Sequence, residues 1–213
     1  SAPTERVAYV RLNTSKPPLD NLKVRQAVAH AIDKQALIDG ILGGFDKPVI
    51  EMLTPAHFGY VEGVPSLNYD PAKAKALVAE VGAPAKAEIE LATAPVFDQR
   101  IVQALQQMLS DVGLNVKINM SDMANYLKRA QSGPESTPLL SFGRWSCACQ
   151  DADGVLFPLL HKSSSWSAYR NSAMDKALED ARQTLDEKKR LAAYKQAHEL
   201  IAADVPLIAL YQA

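Results

Sequence analysis

The stretch that decides the fold opens Glu88-Ile89-Glu90-Leu91-Ala92-Thr93. It continues through Ile101, Leu105, Met108, Leu109 and Val112, and closes Leu114-Asn115-Val116-Lys117-Ile118-Asn119-Met120. Ile89, Leu91 and Thr93 alternate with Glu88, Glu90 and Ala92, the two-residue period of a strand. The middle group recurs at three and four residues, the period of a helix with one apolar face. Gly113 stands just past that helix, where a left-handed residue ends it. Leu114, Val116, Ile118 and Met120 then alternate with polar neighbours as a second strand. Strand, helix and strand with short links form a crossover unit whose strands run parallel. The chain is therefore assigned to the α/β class.

Outward from that unit, Val7–Leu12 reads as a strand, ended by the prolines 17 and 18. Asp20 or Asn21 can cap a helix bearing Val24, Ala27, Val28, Ala31 and Ile32. Asp33 caps a second, short helix with Leu37, Ile38, Ile41 and Leu42, stopped by Gly43-Gly44. Residues 45–69 hold prolines and glycines without a sustained period and read as a long irregular excursion. Asp70-Pro71 starts a helix, since aspartate caps and proline fits the first helical position. Ala74, Leu77, Val78 and Val81 form its buried stripe, and Gly82 ends it.

Beyond the unit, residues 122–131 read as helix and Pro138–Gly143 as a buried strand. Residues 144–171 read mostly as loop, with a short apolar turn at Val155–Leu160. Met174, Ala177, Leu178, Ala181 and Leu185 mark another helix. Asp186 caps the next, with Leu191, Tyr194, His198 and Ile201 on one face. Pro206–Tyr211 closes as a strand. No internal repeat or linker is visible, so residues 1–213 read as one domain.

The chain has 213 residues, 23 basic and 24 acidic, a formal charge of −1. That balance argues against tracking a phosphate backbone, and no nucleic-acid partner is expected. No apolar run of about 18 residues exists to span a bilayer. Ser1-Ala2-Pro3 is neither an initiator methionine nor a signal peptide, which implies a removed leader or a piece of a longer protein.

Catalytic and metal motifs are absent. The histidines, His30, His57, His161 and His198, are widely spaced. Cys147 and Cys149 make one pair of soft ligands without a second. A bridge between residues two apart is expected to be strained, and the favoured reading is one thiol buried and the other at a strand end, with the state of the pair open. Asp151 and Asp153 can pair as carboxylates, but capping a helical turn near Gly154 is the simpler role. No catalytic residue, metal or cofactor is assigned. Binding fares better. Arg144-Trp145-Ser146-Cys147-Ala148-Cys149 follows a buried strand directly, and ligands of open α/β sheets sit beyond the carboxyl ends of strands. Position alone equally allows Trp145 as a core anchor and Arg144 as a surface residue.

Several segments in order resemble one family. Leu19-Asp20-Asn21-Leu22-Lys23-Val24-Arg25-Gln26-Ala27-Val28-Ala29-His30-Ala31-Ile32-Asp33 is similar to its characteristic Asn-x-x-Val-Arg-Gln-Ala helix. Tyr69-Asp70-Pro71-Ala72-Lys73-Ala74, Leu109-Ser110-Asp111-Val112-Gly113-Leu114, Trp145 with Asp151 and Asp153, Tyr169-Arg170-Asn171 and Asp204–Tyr211 follow in the family's order. The family is the extracellular solute-binding proteins, family 5, which deliver dipeptides, oligopeptides or nickel to bacterial ABC importers. The resemblance implies the later, C-terminal lobe of a two-lobed clamp, with a mixed, mostly parallel sheet flanked by helices of the periplasmic-binding-protein type II kind. It implies a periplasmic or extracellular site of action. It implies a peptide or peptide-like ligand taken between lobes, and membrane permease subunits as partners to a peripheral protein.

By the same resemblance, Arg144, Trp145, Ser146 and Cys147 would pair with the ligand backbone. Ala148 stands where peptide binders commonly carry an aspartate for the ligand's ammonium group. The string from Trp145 to Asp153 is more similar to the branch that includes glutathione binders, which implies a modified peptide, an opine-like conjugate or another small polar organic compound. Arg11, on the first strand, is expected to face the cleft and with Arg144 to favour an anionic ligand. An effector domain of a transcription regulator and a thiol-dependent redox protein are the competing readings. Fold alone separates none of them.

Overall fold

The computed structural model describes residues 4–213; the reading of Ser1 to Pro3 lies outside them. Strand β1 spans Val7–Leu12 and is buried along its whole length. Helix α1 (Leu22–Ala31) is capped by Asn21, whose side chain accepts from the Lys23 amide. Helix α2 (Lys34–Gly40) is capped by Asp33. Its regular part ends at Gly40, the amides of Ile41 and Leu42 still reach back to Leu37 and Ile38, and the turn closes at the expected Gly43, left-handed at φ 77°. The excursion that follows holds one short strand, β2 (Lys47–Pro48). Helix α3 (Pro71–Val81) starts on its Asp70-Pro71 cap as expected.

The decisive stretch forms β3 (Glu88–Thr93), α4 (Gln99–Asp111) and β4 (Asn115–Met120), with β3 and β4 parallel. Helix α5 (Met123–Ala130) and strand β5 (Leu140–Trp145) come next. The expected apolar turn is a full helix, α6 (Asp153–Leu160). Helices α7 (Ser172–Arg182) and α8 (Glu187–Asp204) lead to the last strand, β6 (Leu207–Gln212). Leu185 belongs to neither helix face: α7 stops at Arg182 and the side chain is 98% exposed.

The six strands form one mixed sheet in the order β2-β6-β1-β5-β3-β4. Strands β3, β4, β5 and β6 point one way and β1 and β2 the other, since β1 lies antiparallel to both β5 and β6. Being central, β1 is covered on both faces, as buried strands are. Ala8, Val10 and Leu12 pack into the larger core with α1 to α5. Val7 and Tyr9 pack into the second core with α6, α7 and α8. The two-residue period thus splits one strand between two apolar cores. Val7 lies opposite Trp145, Ala8 opposite Arg144 and Tyr9 opposite Gly143. The start of β1 and the end of β5 therefore meet at the edge of the sheet where β3 and β4 also end.

Candidate functional site

At that edge lies a groove of about 330 Å³. Four elements supply its walls: Arg6 and Tyr9 from β1 and the residue before it, Val96 and Phe97 from the loop after β3, Met123, Tyr126 and Leu127 from α5, and Gly143 to Ser146 from β5. Trp166 closes it from the loop after α6. The site lies beyond the carboxyl ends of β3, β4 and β5, where open α/β sheets take ligands.

The floor is aromatic. Phe97 meets Tyr126 edge-on with centroids 5.4 Å apart, and Trp145 meets Trp166 edge-on at 5.2 Å. Such contacts fix ring orientation as well as bury area. Tyr126 donates its hydroxyl to the Phe142 carbonyl at 2.7 Å, and Trp145 donates its indole N–H to the Gly154 carbonyl at 3.1 Å. Burial pushes the Tyr9 and Tyr126 phenols up, so both stay neutral at ordinary pH. Gly143 allows this convergence. A Cβ there would come 3.2 Å from the Tyr126 hydroxyl and 3.4 Å from the Tyr9 ring. Glycine within a strand marks just such a close approach.

The charge over this floor comes from two arginines. Of the nine in the chain, four are paired with acids: Arg100 with Asp98, Arg129 with Glu90, Arg182 with Asp153 and Arg190 with Asp151. Three donate to carbonyls of the chain: Arg11, Arg25 and Arg170. The guanidinium groups of Arg6 and Arg144 make neither kind of bond among the described residues, and both are exposed at the groove. Arg144 lies over the Phe97 ring, 5.6 Å from its centroid, a cation–π approach.

The structure therefore brings together Arg144, Trp145 and Ser146 from the residues expected on sequence grounds. Cys147 and Ala148 lie just beyond the rim, Cys147 half-buried and Ala148 exposed. Arg11 is not brought to the groove. It is 5% exposed, and its Nη1 donates to the carbonyls of Ala130 and Trp166 at 2.8 Å each. Its Nη2 donates to Thr137, and its Nε has no partner among the described residues. Arg11 thus ties α5 and the Trp166 loop to β1; it builds two groove walls without entering the groove. Arg6, Tyr9, Phe97, Tyr126 and Trp166 were missed by sequence reasoning. The glycine inside β5 was the available signal, since it marks a strand approached closely by other groups.

The two cysteines correct the sequence reading: Cys147 and Cys149 are joined in a disulfide. Their Cα atoms are 5.1 Å apart, inside the range a bridge spans. A tight turn makes this possible, with the Gln150 amide returning to the Cys147 carbonyl at 3.0 Å and Gln150 itself left-handed at φ 50°. Both thiols are consumed, so neither is a nucleophile or a metal ligand in this state. Asp151 and Asp153 do not act as a carboxylate pair. Each is engaged by an arginine, and Asp151 also accepts the Asp153 amide at 2.9 Å as α6 begins. Among the described residues no group of three or more His, Cys, Asp or Glu side chains converges as a metal site.

A second cavity, about 50 Å³ and more enclosed, lies by the opposite end of β6. Glu51, Lys34 and His198 line it among apolar neighbours that include Met52, Val64 and Leu207. Glu51 is 6% exposed, and neither carboxyl oxygen has a hydrogen bond of ordinary geometry, although the Val61 amide lies near enough to oppose its shift. Burial pushes Glu51 up to about 8 and Lys34 down to about 8. His198, 3.2 Å from Glu51, is also lowered by burial and meets the Gly59 carbonyl at 3.1 Å. At neutral pH the Glu51–His198 contact is therefore between neutral groups.

Comparison with known proteins places this geometry. Residues 1–167 match the family described as "Bacterial extracellular solute-binding proteins, family 5 Middle". Heme-binding protein A of Haemophilus influenzae is 32% identical over 212 residues, which cover 95% of this chain and 38% of that protein. Glutathione-binding protein GsiB of Salmonella typhi is 28% identical over 221 residues, covering 99% and 43%. Among solved structures, the periplasmic binding protein DppA of Helicobacter pylori in complex with the peptide STSA superposes with a TM-score of 0.88 at 29% identity. That match covers 97% of this chain and 41% of that one. The chain thus spans about two fifths of the length of these relatives. Identity does not single out one ligand among those their names print.

Proposed function

Because the chain belongs to the family 5 bacterial extracellular solute-binding proteins, we propose that it is one lobe of a two-lobed receptor that captures a peptide or peptide-like solute for an ABC importer. The observation that carries this reading is the groove. It has an aromatic floor, two arginines that pair with no acid or carbonyl among the described residues, and an open side. A groove of this kind holds half a ligand, and closure of a second lobe about a hinge buries the rest. The relatives' names describe binding proteins rather than enzymes, and the reading assigns no catalytic residue.

The ligand is anionic at the end that meets Arg6 and Arg144, because a guanidinium fork matches a carboxylate in two parallel hydrogen bonds. Ala148 offers no counter-ion to a free ammonium group, so a peptide bearing a second acid or a blocked amine fits better than a simple dipeptide. The disulfide suits an oxidising compartment, which supports a periplasmic or extracellular location. Delivery to membrane permease subunits follows from the family role. The 213-residue chain by itself binds weakly, because the other wall of the clamp is missing.

Calorimetry of the full-length receptor against a dipeptide, glutathione and an opine tests the reading. The expected result is binding of an acidic member of that set and a loss of at least about tenfold, near 1.4 kcal/mol, in the Arg6→Ala, Arg144→Ala double variant. Equal affinity in wild type and variant would overturn the anionic assignment. Micromolar binding by the 213-residue chain alone would overturn the half-clamp.

A further inference from the structure

The disulfide lies two residues past Trp145, yet it reaches the tryptophan by a different path from the chain. Both sulfurs rest on Gly154 in the first turn of α6. A Cβ at that position would lie 2.3 Å from the Cys147 Sγ and 2.5 Å from the Cys149 Sγ. No other residue leaves room for the bridge. The carbonyl of the same Gly154 accepts the Trp145 indole N–H at 3.1 Å. Trp145 in turn meets the edge of Trp166 at 5.2 Å, and both rings line the groove. Bridge, Gly154 carbonyl, Trp145 and Trp166 form one contiguous series of contacts. Around it, the Phe58 amide donates to the Gln150 carbonyl and the Ala152 amide to the Phe58 carbonyl, each at 2.8 Å. The turn that carries the sulfurs is thereby anchored to the rest of the fold.

We propose that the Cys147–Cys149 bridge is a positioning element for the groove: seated on Gly154, it fixes the carbonyl that holds the Trp145 indole, and opening it frees that ring. Trp145 packs on one side against the second core, and the tilt of its indole is set by the single hydrogen bond to Gly154 and the edge contact with Trp166. Two thiols are bulkier together than a bridge, because sulfurs no longer bonded must separate to van der Waals distance. They cannot both stay over Gly154, and the turn must shift. What Trp145 contacts in the groove rests on the proposed function, but its orientation does not.

The test needs no ligand, because Trp145 and Trp166 are the only two tryptophans in the chain. The oxidised chain is treated with tris(2-carboxyethyl)phosphine. The phosphine supplies an electron pair, the S–S bond breaks, two thiols form, and phosphorus takes the oxygen of water as phosphine oxide. Thiol titration confirms the opening. The expected result is a rise of about twofold in acrylamide quenching of tryptophan fluorescence, as a locally released ring becomes accessible. The near-ultraviolet dichroism of the coupled indoles falls, and the far-ultraviolet spectrum does not change. A Cys147→Ser, Cys149→Ser variant already shows the released spectrum and does not respond to the phosphine. Unchanged quenching and dichroism after complete reduction would overturn the proposal. So would loss of the far-ultraviolet spectrum, because the bridge would then hold the whole fold rather than one side chain. A failed ligand titration would sink the proposed function and leave this result standing.

Discussion

The groove and the Glu51 cavity use charge in opposite ways. In the groove, Arg6 and Arg144 are exposed and, among the described residues, pair with no acid or carbonyl, so their charge is available to something outside the chain. In the cavity, Glu51 and His198 are buried and Lys34 is half-buried, and burial moves each toward its neutral form. Solvent accounts for the difference. An exposed guanidinium costs nothing while it waits for a ligand, whereas an enclosed carboxyl without hydrogen bonds is cheaper protonated. Unsatisfied polarity therefore costs little at a solvated rim and lowers stability inside.

Arg11 sits between these extremes, and removing it breaks the comparison most severely. It is buried like the cavity groups yet charged like the rim, and its hydrogen bonds hold two groove walls. Arg11→Ala strands the Ala130 and Trp166 carbonyls. It should lower unfolding free energy by about 4 kcal/mol, read by urea denaturation. A loss under about 1 kcal/mol would show that Arg11 is not a tie.

Glu51→Gln sharpens the other half. Its folded pKa, about 8, lies above the ordinary 4.5. Its contribution is therefore fully present below pH 4.5 and is lost as pH rises to about 8. The glutamine variant should lack that decline and be more stable than wild type at pH 8, by on the order of 3 kcal/mol. Lys34 and His198 face the same cavity and change stability in the opposite sense, since burial depresses both. The difference between variant and wild type, measured as melting temperature against pH, isolates Glu51. Parallel curves would show a solvated carboxyl.

Arg144→Ala should do least to the fold. The group is exposed and outside the ion pairs, so its stability change stays within about 0.5 kcal/mol. A larger melting shift would mean that Arg144 is structural, and the contrast between rim and cavity would fail there.

Much of the frame was legible in the sequence, and the reason is local. Asp70-Pro71, the alternation in β3 and β4 and the stripe on α4 each depend on residues close in the chain. What escaped depends on distant partners. Lys47-Pro48 has no apolar signature, and becomes a strand only because β6 is beside it. Leu185 kept the helical spacing of α7 past the point where the helix ends. In the site, an arginine on an inward strand face looks the same whether it meets a ligand or, like Arg11, carbonyls more than a hundred residues away. A spacing of two residues does not reveal the bridge, because the turn at Gln150 that brings the sulfurs together leaves no mark in that spacing. Tyr9, Phe97 and Trp166 come from three separate segments, and their convergence depends on topology rather than on any one pattern.

The central place of β1 has a consequence in time. The first strand of the chain pairs with residues 140–145 on one side and 207–212 on the other. Both of its neighbours therefore lie far along the chain from it. Closing loops of that length costs entropy before any contact repays it, and such pairings form late. The crossover of β3, α4 and β4 closes a far shorter loop and is free to form first. Arg6 and Tyr9 thus reach the groove only when β1 is inserted, so the groove is complete only once these distant pairings have closed.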